Sequence, residues 1–205
     1  MQLRSFAIFS LLSDLLVPPR ETERAVRTLT LANMRTLRSL DSGSLPYHDS
    51  SARALVWEVK YYANRRATEL CGAFLAELLA DMATEELGRP LLIPVPMHQA
   101  RRKARGHNQT ELLAESALRY VGDLYDYSLH ALVRIVDTSP QQGLSEKKRR
   151  TNVQGSMTAN KEAVCGRVCV VLDDVSTTGA TFAEAARALQ KAGARSIHCV
   201  ALAQS

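Results

Sequence analysis

The chain has 205 residues, 46% of them hydrophobic and 23% charged, which is enough apolar mass for one substantial core and too much for a disordered chain. No apolar run reaches the length of a bilayer span, and the one nearest the N-terminus is interrupted by Ser13 and Asp14. The formal net charge of +5 is modest, which argues against a uniformly basic nucleic-acid coat and directs attention to where the charge lies.

Arg4–Leu16 reads as a helix stopped by Pro18 and Pro19, with a second helical segment from about Glu21. The opening MQLRSFAIFSLLSDLLVPP lacks the uninterrupted apolar stretch and small-residue cleavage site of a secretory leader, so a cytoplasmic protein is expected. The turn-rich DSGSLPY, Asp41–Tyr47, marks a boundary between an N-terminal helical extension (residues 1–46) and a main domain (residues 47–205). Helices are predicted over Ser51–Tyr62 and Arg65–Glu86; in the second, Leu70, Phe74, Leu75, Leu78 and Leu79 share a face.

Beyond Gly88 short apolar runs alternate with helices, the pattern of βα units and an α/β fold with a mostly parallel sheet of about five strands. Strands are expected at Leu91–Val95, Leu129–Val136, Gln154–Thr158, Arg167–Leu172 and Ser196–Ala203. Helices are expected from an Asn108 cap to Val121, with Glu111 completing a capping box, and over Thr178–Ala192. The four cysteines, Cys71, Cys165, Cys169 and Cys199, form no CxxC pair and read as reduced, buried thiols; a zinc site is not expected.

The chemistry concentrates in Val170–Phe182, VVLDDVSTTGATF. An apolar β-branched run suits a strand buried on both faces, and ligands of open α/β sheets bind beyond the carboxyl ends of such strands. Asp173 and Asp174 stand there, and carboxylates in succession can accept the 2′- and 3′-hydroxyls of a ribose or the water shell of Mg²⁺. Ser176, Thr177, Thr178, Gly179, Ala180 and Thr181 are all small. Their backbone N–H groups can approach an anion closely, and the helix that comes next adds a favourable dipole. The order suits a sugar phosphate held by its hydroxyls and its phosphate together. Neither a GxxxxGK[ST] string nor a GxG pair occurs, which excludes a P-loop and a dinucleotide fingerprint.

Two loops carry the basic excess. His98–Gln109 holds Arg101, Arg102, Lys103 and Arg105 without an acid, and Ser145–Asn152 holds Lys147, Lys148, Arg149 and Arg150 with Glu146; outside them 18 basic residues face 20 acidic ones. Patches so concentrated suggest a pyrophosphate or a nucleic-acid backbone as partner. Arg101 and Arg105 share a face if their segment is helical and could clamp a diphosphate. The long polar connection Thr138–Gly155 reads as a lid that excludes water. His107, beside a glycine, reads as a solvated surface residue. Neither loop contains Phe, Tyr or Trp for stacking bases.

VVLDDVSTTGATF resembles the 5-phosphoribosyl pyrophosphate (PRPP) signature of type I phosphoribosyltransferases. The resemblance implies that Asp173 and Asp174 bind the ribose diol and that Ser176 to Thr181 cradle the 5-phosphate. Together with PVPMHQARRKARGHNQTELLA and QQGLSEKKRRTNV the chain is similar to the ComF family, phosphoribosyltransferase-like proteins associated with competence and DNA uptake. Matching positions include Pro94, Pro96, Arg101, Arg105, Gly106, Asn108, Gln109, Gln141, Leu144, Arg149 and Asn152. The similarity implies an Mg²⁺-dependent enzyme that transfers ribose 5-phosphate to an unidentified nitrogen acceptor. Asp173 and Asp174 would be catalytic and hold the metal through water, and Arg101, Arg105 and Arg149 would meet the pyrophosphate. The alternative is a non-catalytic PRPP-sensing or single-stranded-DNA-binding protein of the competence machinery. The similarity is to members that carry an N-terminal cysteine-rich zinc module, and such a module is not expected here, since no cysteine precedes Cys71.

Overall fold

The computed structural model describes residues 20–84, 88–137 and 153–205, so the helix expected over Arg4–Leu16 lies outside the described residues. In chain order the elements are helices α1 (Glu21–Thr28) and α2 (Leu31–Leu37), strand β1 (Leu45–Pro46), helices α3 (Ser50–Tyr62) and α4 (Arg65–Thr84), and strand β2 (Leu91–Pro94). Helices α5 (Gln99–Arg105) and α6 (Gln109–Val121) come next, then a short 3₁₀ turn and strands β3 (Asp126–Tyr127), β4 (Leu132–Arg134) and β5 (Met157–Ala159). The chain closes with α7 (Lys161–Val164), β6 (Val168–Ser176), α8 (Ala180–Lys191) and β7 (Ser196–Gln204).

Five strands form one parallel sheet in the order β1-β7-β6-β2-β3. The expected strand number is met, but by different members. The segments expected at Leu129–Val136 and Gln154–Thr158 contribute β4 and β5, which pair antiparallel in a separate two-stranded ribbon. Their places in the main sheet go to β1 and β3, two residues each, too short to leave a periodic trace. β1 lies inside the turn-rich DSGSLPY, where Leu45 and Pro46 register with Ala203 and Gln204.

Alternation along β6 divides the core. Val170 and Leu172 pack with Phe74, Leu75 and Leu79 of α4 and Leu113 of α6, whereas Cys169 and Val171 pack with Ala185 and Leu189 of α8 and with Met157 of β5. Both sheet faces are therefore covered, as a run of continuous apolar residues requires. The cysteines divide as well: Cys71 and Cys169 are buried, but Cys165 and Cys199 are exposed, contrary to expectation. Cys165 comes directly after the short α7, and Cys199 sits on the part of β7 that β1 does not reach.

α4 and α6 cross with Gly72 against Ser116: a Cβ built on Gly72 would lie 2.2 Å from Ser116 Oγ and 2.8 Å from its backbone carbon. The missing side chain lets the two helices approach. The segment from Glu21 is two helices rather than one, because Thr30 caps α2 in a reciprocal box with Asn33 and the chain turns extended at Leu29. Arg66 donates to the carbonyls of Val26 and Leu29 at the end of α1, at 3.2 and 3.0 Å. Glu58 of α3, fully buried, accepts from Arg20 at 2.9 and 3.2 Å, from Thr22 at 2.6 Å and from Asn64 at 2.9 Å. Burial alone would push its carboxyl up, but the hydrogen bonds from Arg20, Thr22 and Asn64 outweigh it and hold the group below the ordinary glutamate value.

Two measurements test these contacts. Gly72→Ala should destabilise the protein by about 1–3 kcal/mol in urea denaturation, since the backbone of Ser116 must move, while Ser116→Ala should be close to neutral, because its buried Oγ has no partner among the described residues. Glu58 has a lowered value in the folded state, so its contribution is complete above the ordinary carboxylate range and is lost as pH falls through the folded value. Glu58→Gln should cost about 1–3 kcal/mol at neutral pH and flatten the loss of stability below about pH 4.3.

Candidate functional site

β2 ends at Pro94, opposite Leu172, while β6 continues beside β7 to Ser176. The acids thus lie inside β6 rather than beyond it, along the length where one neighbouring strand has left. A last bond runs from the Val95 N–H to Leu172 O (2.8 Å). The Val95 carbonyl is then taken by Thr110 Oγ1 (2.7 Å) and Asn108 Nδ2 (3.2 Å), which seats the start of α6 against the gap. Asn108 caps α6 by accepting the Thr110 N–H, and the Glu111 carboxylate turns to Asn108 Nδ2 and Arg102.

Asp173 and Asp174 are both 7% exposed. Asp173 Oδ1 accepts the N–H of Asp174 (2.8 Å), and Asp174 Oδ1 accepts that of Val175 (2.9 Å). Asp174 Oδ2 receives Gln109 Nε2 at 3.2 Å and lies 3.8 Å from Lys60 Nζ. Burial, and then the adjacent Asp174, push the Asp173 carboxyl well above the ordinary aspartate value, against the pull of the Arg134 guanidinium. Burial in turn draws Arg134 below its ordinary value, with Asp173 opposing. Arg134 Nε is held by the carbonyl of Pro96 (3.0 Å).

Lys60, Gln109 and Arg134 therefore belong to the site, although residue order points only to Gln109, and that through family resemblance. Lys60 falls in a helix with no motif to mark it, and Arg134 in a strand. The spacing that reveals them is three-dimensional. Among the described residues no three His, Cys, Asp or Glu side chains gather to hold a metal. An Mg²⁺ ion here would have to share Asp173 and Asp174 with water and ligand oxygens. The chemistry fits such an ion, because Lys60 at 3.8 Å and the pull of Arg134 do not offset the burial of the two acids, and Asp173 stays well above its ordinary value.

After Ser176 the chain turns through Thr177, Thr178 and Gly179 into α8, which begins at Ala180 rather than Thr178. Gly179 occupies the N-cap position at φ +69° and no side chain caps the helix there. The first amides of a twelve-residue helix, including those of Ala180 and Thr181, thus lack a capping side chain. A cleft of about 460 Å³ opens beside Thr178, Gly179 and Ala180, with Glu184 and Arg187 on its wall.

The first basic loop is partly engaged. Arg101 pairs with Asp137 at 3.1 Å, and Arg105 donates to Gln109 Oε1 at 2.8 Å with its guanidinium 5.3 Å above the Tyr61 ring. Gln141, Leu144, Lys147, Lys148, Arg149, Arg150 and Asn152 lie outside the described residues, as does most of the expected lid. His107 is not a solvated surface residue: it is half-buried, with Nε2 3.2 Å from the carbonyls of Val59 and Lys60 at the end of α3. That contact ties the basic loop to the helix that bears Lys60.

The family model described as "Phosphoribosyl transferase domain" matches residues 127–205, which hold β6, the acids and the turn into α8. Three curated proteins show what the chain is similar to. It is 34% identical over 125 residues to Competence protein F of Haemophilus influenzae, covering 60% of this chain and 54% of that one. It is 36% identical over 132 residues to DNA utilization protein YhgH of Escherichia coli O157:H7, covering 64% and 57%. To Competence protein ComFC of Bacillus subtilis it is 32% identical over 103 residues, covering 50% and 39%. The chain thus spans between about two fifths and three fifths of the length of these relatives. The domain match and the parallel five-stranded sheet with flanking helices make this the α/β fold of type I phosphoribosyltransferases. Among the described residues no helix is long and apolar enough to cross a membrane.

The raised Asp173 value has a signed consequence. The folded state takes up a proton more readily than the unfolded chain, so stability is complete below the unfolded value near about pH 3.9 and is lost as pH rises through the folded value. Asp173→Asn should raise the melting temperature of the ligand-free protein at neutral pH and remove that part of the decline, as read in thermal unfolding across pH.

Proposed function

We propose that this chain binds PRPP with Mg²⁺ and transfers its ribose 5-phosphate to a nitrogen acceptor, releasing pyrophosphate, in a role linked to DNA uptake. The observation that carries the reading is the buried Asp173–Asp174 pair on the carboxyl half of the central strand, followed directly by the uncapped start of α8 at Gly179. The domain match over residues 127–205 supports the fold-level part, and the relatives named for competence and DNA utilization support the wider role.

In this reading the two carboxylates accept the hydroxyls of the ribose, and the backbone and hydroxyls of Ser176, Thr177, Thr178, Gly179, Ala180 and Thr181 hold the 5-phosphate. Arg101, Arg105 and Arg149 meet the pyrophosphate, the first two exchanging Asp137 and Gln109 for it. Lys60 and Arg134 offset part of the charge of the acids. A bound Mg²⁺, held through water by Asp173 and Asp174, would neutralise charge on the departing pyrophosphate. As the C1–oxygen bond breaks, its electron pair leaves on the pyrophosphate and the nitrogen lone pair forms the new bond to C1; the nitrogen then sheds its proton to solvent. Cations fixed near the pyrophosphate act most strongly where that charge develops, which raises the rate rather than only the affinity.

A rival reading keeps the donor site without turnover, as a PRPP sensor or a single-stranded-DNA binder, since the relatives are named for competence and DNA utilization rather than for a transfer reaction. Release of pyrophosphate across a panel of bases and amines separates the two.

Calorimetry with PRPP should show binding that requires Mg²⁺ and disappears in the double variant Asp173→Asn/Asp174→Asn. Lys60→Ala should weaken it by about tenfold, the loss of one charge-assisted contact. Unchanged binding in the double variant would refute the assignment.

A further inference from the structure

The ribbon of β4 and β5 stands apart from the main sheet, and a two-stranded ribbon has little stability of its own. Whatever fixes the ribbon therefore fixes Arg134, which closes β4 and exerts its pull on Asp173. The Ile135 N–H donates to Ser156 O at 2.8 Å, so these opposed residues form a hydrogen-bonded pair. The next opposed pair, Arg134 and Met157, is then a non-hydrogen-bonded one, and the backbone groups of Met157 point away from β4. Side chains of α8 meet both of them. Glu184 accepts the Met157 N–H at 2.9 Å, and Arg187 Nη2 donates to the Met157 carbonyl at 3.0 Å. Donor and acceptor are answered together, as a further strand would answer them.

Glu184 is buried, and Arg187 holds it through Nε at 2.8 Å and Nη2 at 2.9 Å. Burial alone would push the Glu184 carboxyl up, but the bonds from Arg187, Met157 and Gly155 keep it below the ordinary glutamate value. An exposed ion pair within one helix turn contributes little; this one is sunk into the protein and directed at backbone. The Met157 side chain packs beside Cys169 and Val171 of β6. Opposed residues share a face of a ribbon, so Arg134 is sent to the same side, where Pro96 O takes its Nε at 3.0 Å.

We propose that Glu184, together with Arg187, is a positioning residue of the site: by gripping both backbone groups of Met157, the pair holds Arg134 beside Asp173 and ties it to α8. Glu184 lies about one turn into that helix, whose uncapped start at Gly179 is the proposed seat of the 5-phosphate. One rigid element therefore carries the phosphate seat and sets the cation near the acids. The link to substrate rests on the PRPP reading, whereas the grip does not. Arg101, Asp137 and Asp173 are other charges near Arg134, and Glu184 also acts on it directly across space. Glu184 and Arg187 have opposite charge, which allows that direct effect to be separated from the grip.

The Arg134 Nε–H, identified as the NMR resonance lost in Arg134→Lys, is followed by hydrogen exchange in the full chain without ligand. Glu184→Ala should speed its exchange about tenfold, while the amides of Val170 and Val171 in β6 keep theirs. Arg187→Met, at an exposed position, should speed it about threefold and carries the test alone if Glu184→Ala does not fold. Loss of charge by itself would act in opposite directions in the two variants, so acceleration in both marks the grip. Unchanged exchange in either folded variant, slower exchange in Arg187→Met, or acceleration spread equally over β6 overturns the proposal. In calorimetry, Glu184→Ala should weaken Mg²⁺-dependent PRPP binding about tenfold and add nothing in an Arg134→Met background; equal losses in both backgrounds would also overturn it. A wild-type chain that binds no PRPP refutes the donor reading instead, and the exchange result still decides the grip.

Discussion

Two carboxylates buried side by side near the end of a central strand set the terms for the rest of this molecule. Both acids are withdrawn from water, and burial, with the adjacent Asp174 adding to it, holds Asp173 well above its ordinary value. The chain answers with groups from three distant elements: Lys60 from α3, Gln109 from α6 and Arg134 from β4. The compensation is incomplete, since Asp173 stays well above its ordinary value, and the proposed Mg²⁺ and ribose hydroxyls would complete it. A fully neutralised pair would be a structural ion cluster instead.

Holding Lys60 in place is the work of residues far from any chemistry. α3 is anchored at its carboxyl end by Glu58, whose buried carboxylate gathers Arg20, Thr22 and Asn64, and by His107, which meets the carbonyls of Val59 and Lys60. Helix α1 is joined to the same region through Arg66. Residues that surround the acids on both sheet faces are thereby set by one packed unit, α4 against α6 at Gly72 and α8 against β6. Lys60 lies between Asp174 and the Tyr61 ring, so the orientation of one helix sets how it meets both.

The basic segments illustrate how tertiary structure revises a charge argument. From residue order, the absence of aromatic residues in either basic loop weighs against any stacking function. In the fold, α3 supplies the rings: Tyr61 lies beneath Arg105 although 44 positions separate them. Arg101 and Arg105, which would share a helix face, are each engaged by a separate partner, Asp137 and Gln109, and would have to release it to clamp a pyrophosphate together.

Residue order alone specifies whatever depends on neighbours along the chain. The apolar β-branched run of β6, the acids within it, the small residues leading into α8 and the amphipathic face of α4 are local patterns, and all are legible there. The parallel architecture is legible too, because strands that alternate with helices leave few other arrangements. Which short segments complete the sheet is settled in three dimensions: β1 and β3, at two residues each, have no period to read, whereas β4 and β5 look like sheet strands yet pair with one another. The position of the acids inside the strand depends on where β2 departs, and the gathering of Lys60, Gln109 and Arg134 around them depends on how three distant elements pack. Such meetings are set by sheet register and helix packing between residues tens of positions apart, and no local pattern of side chains records them.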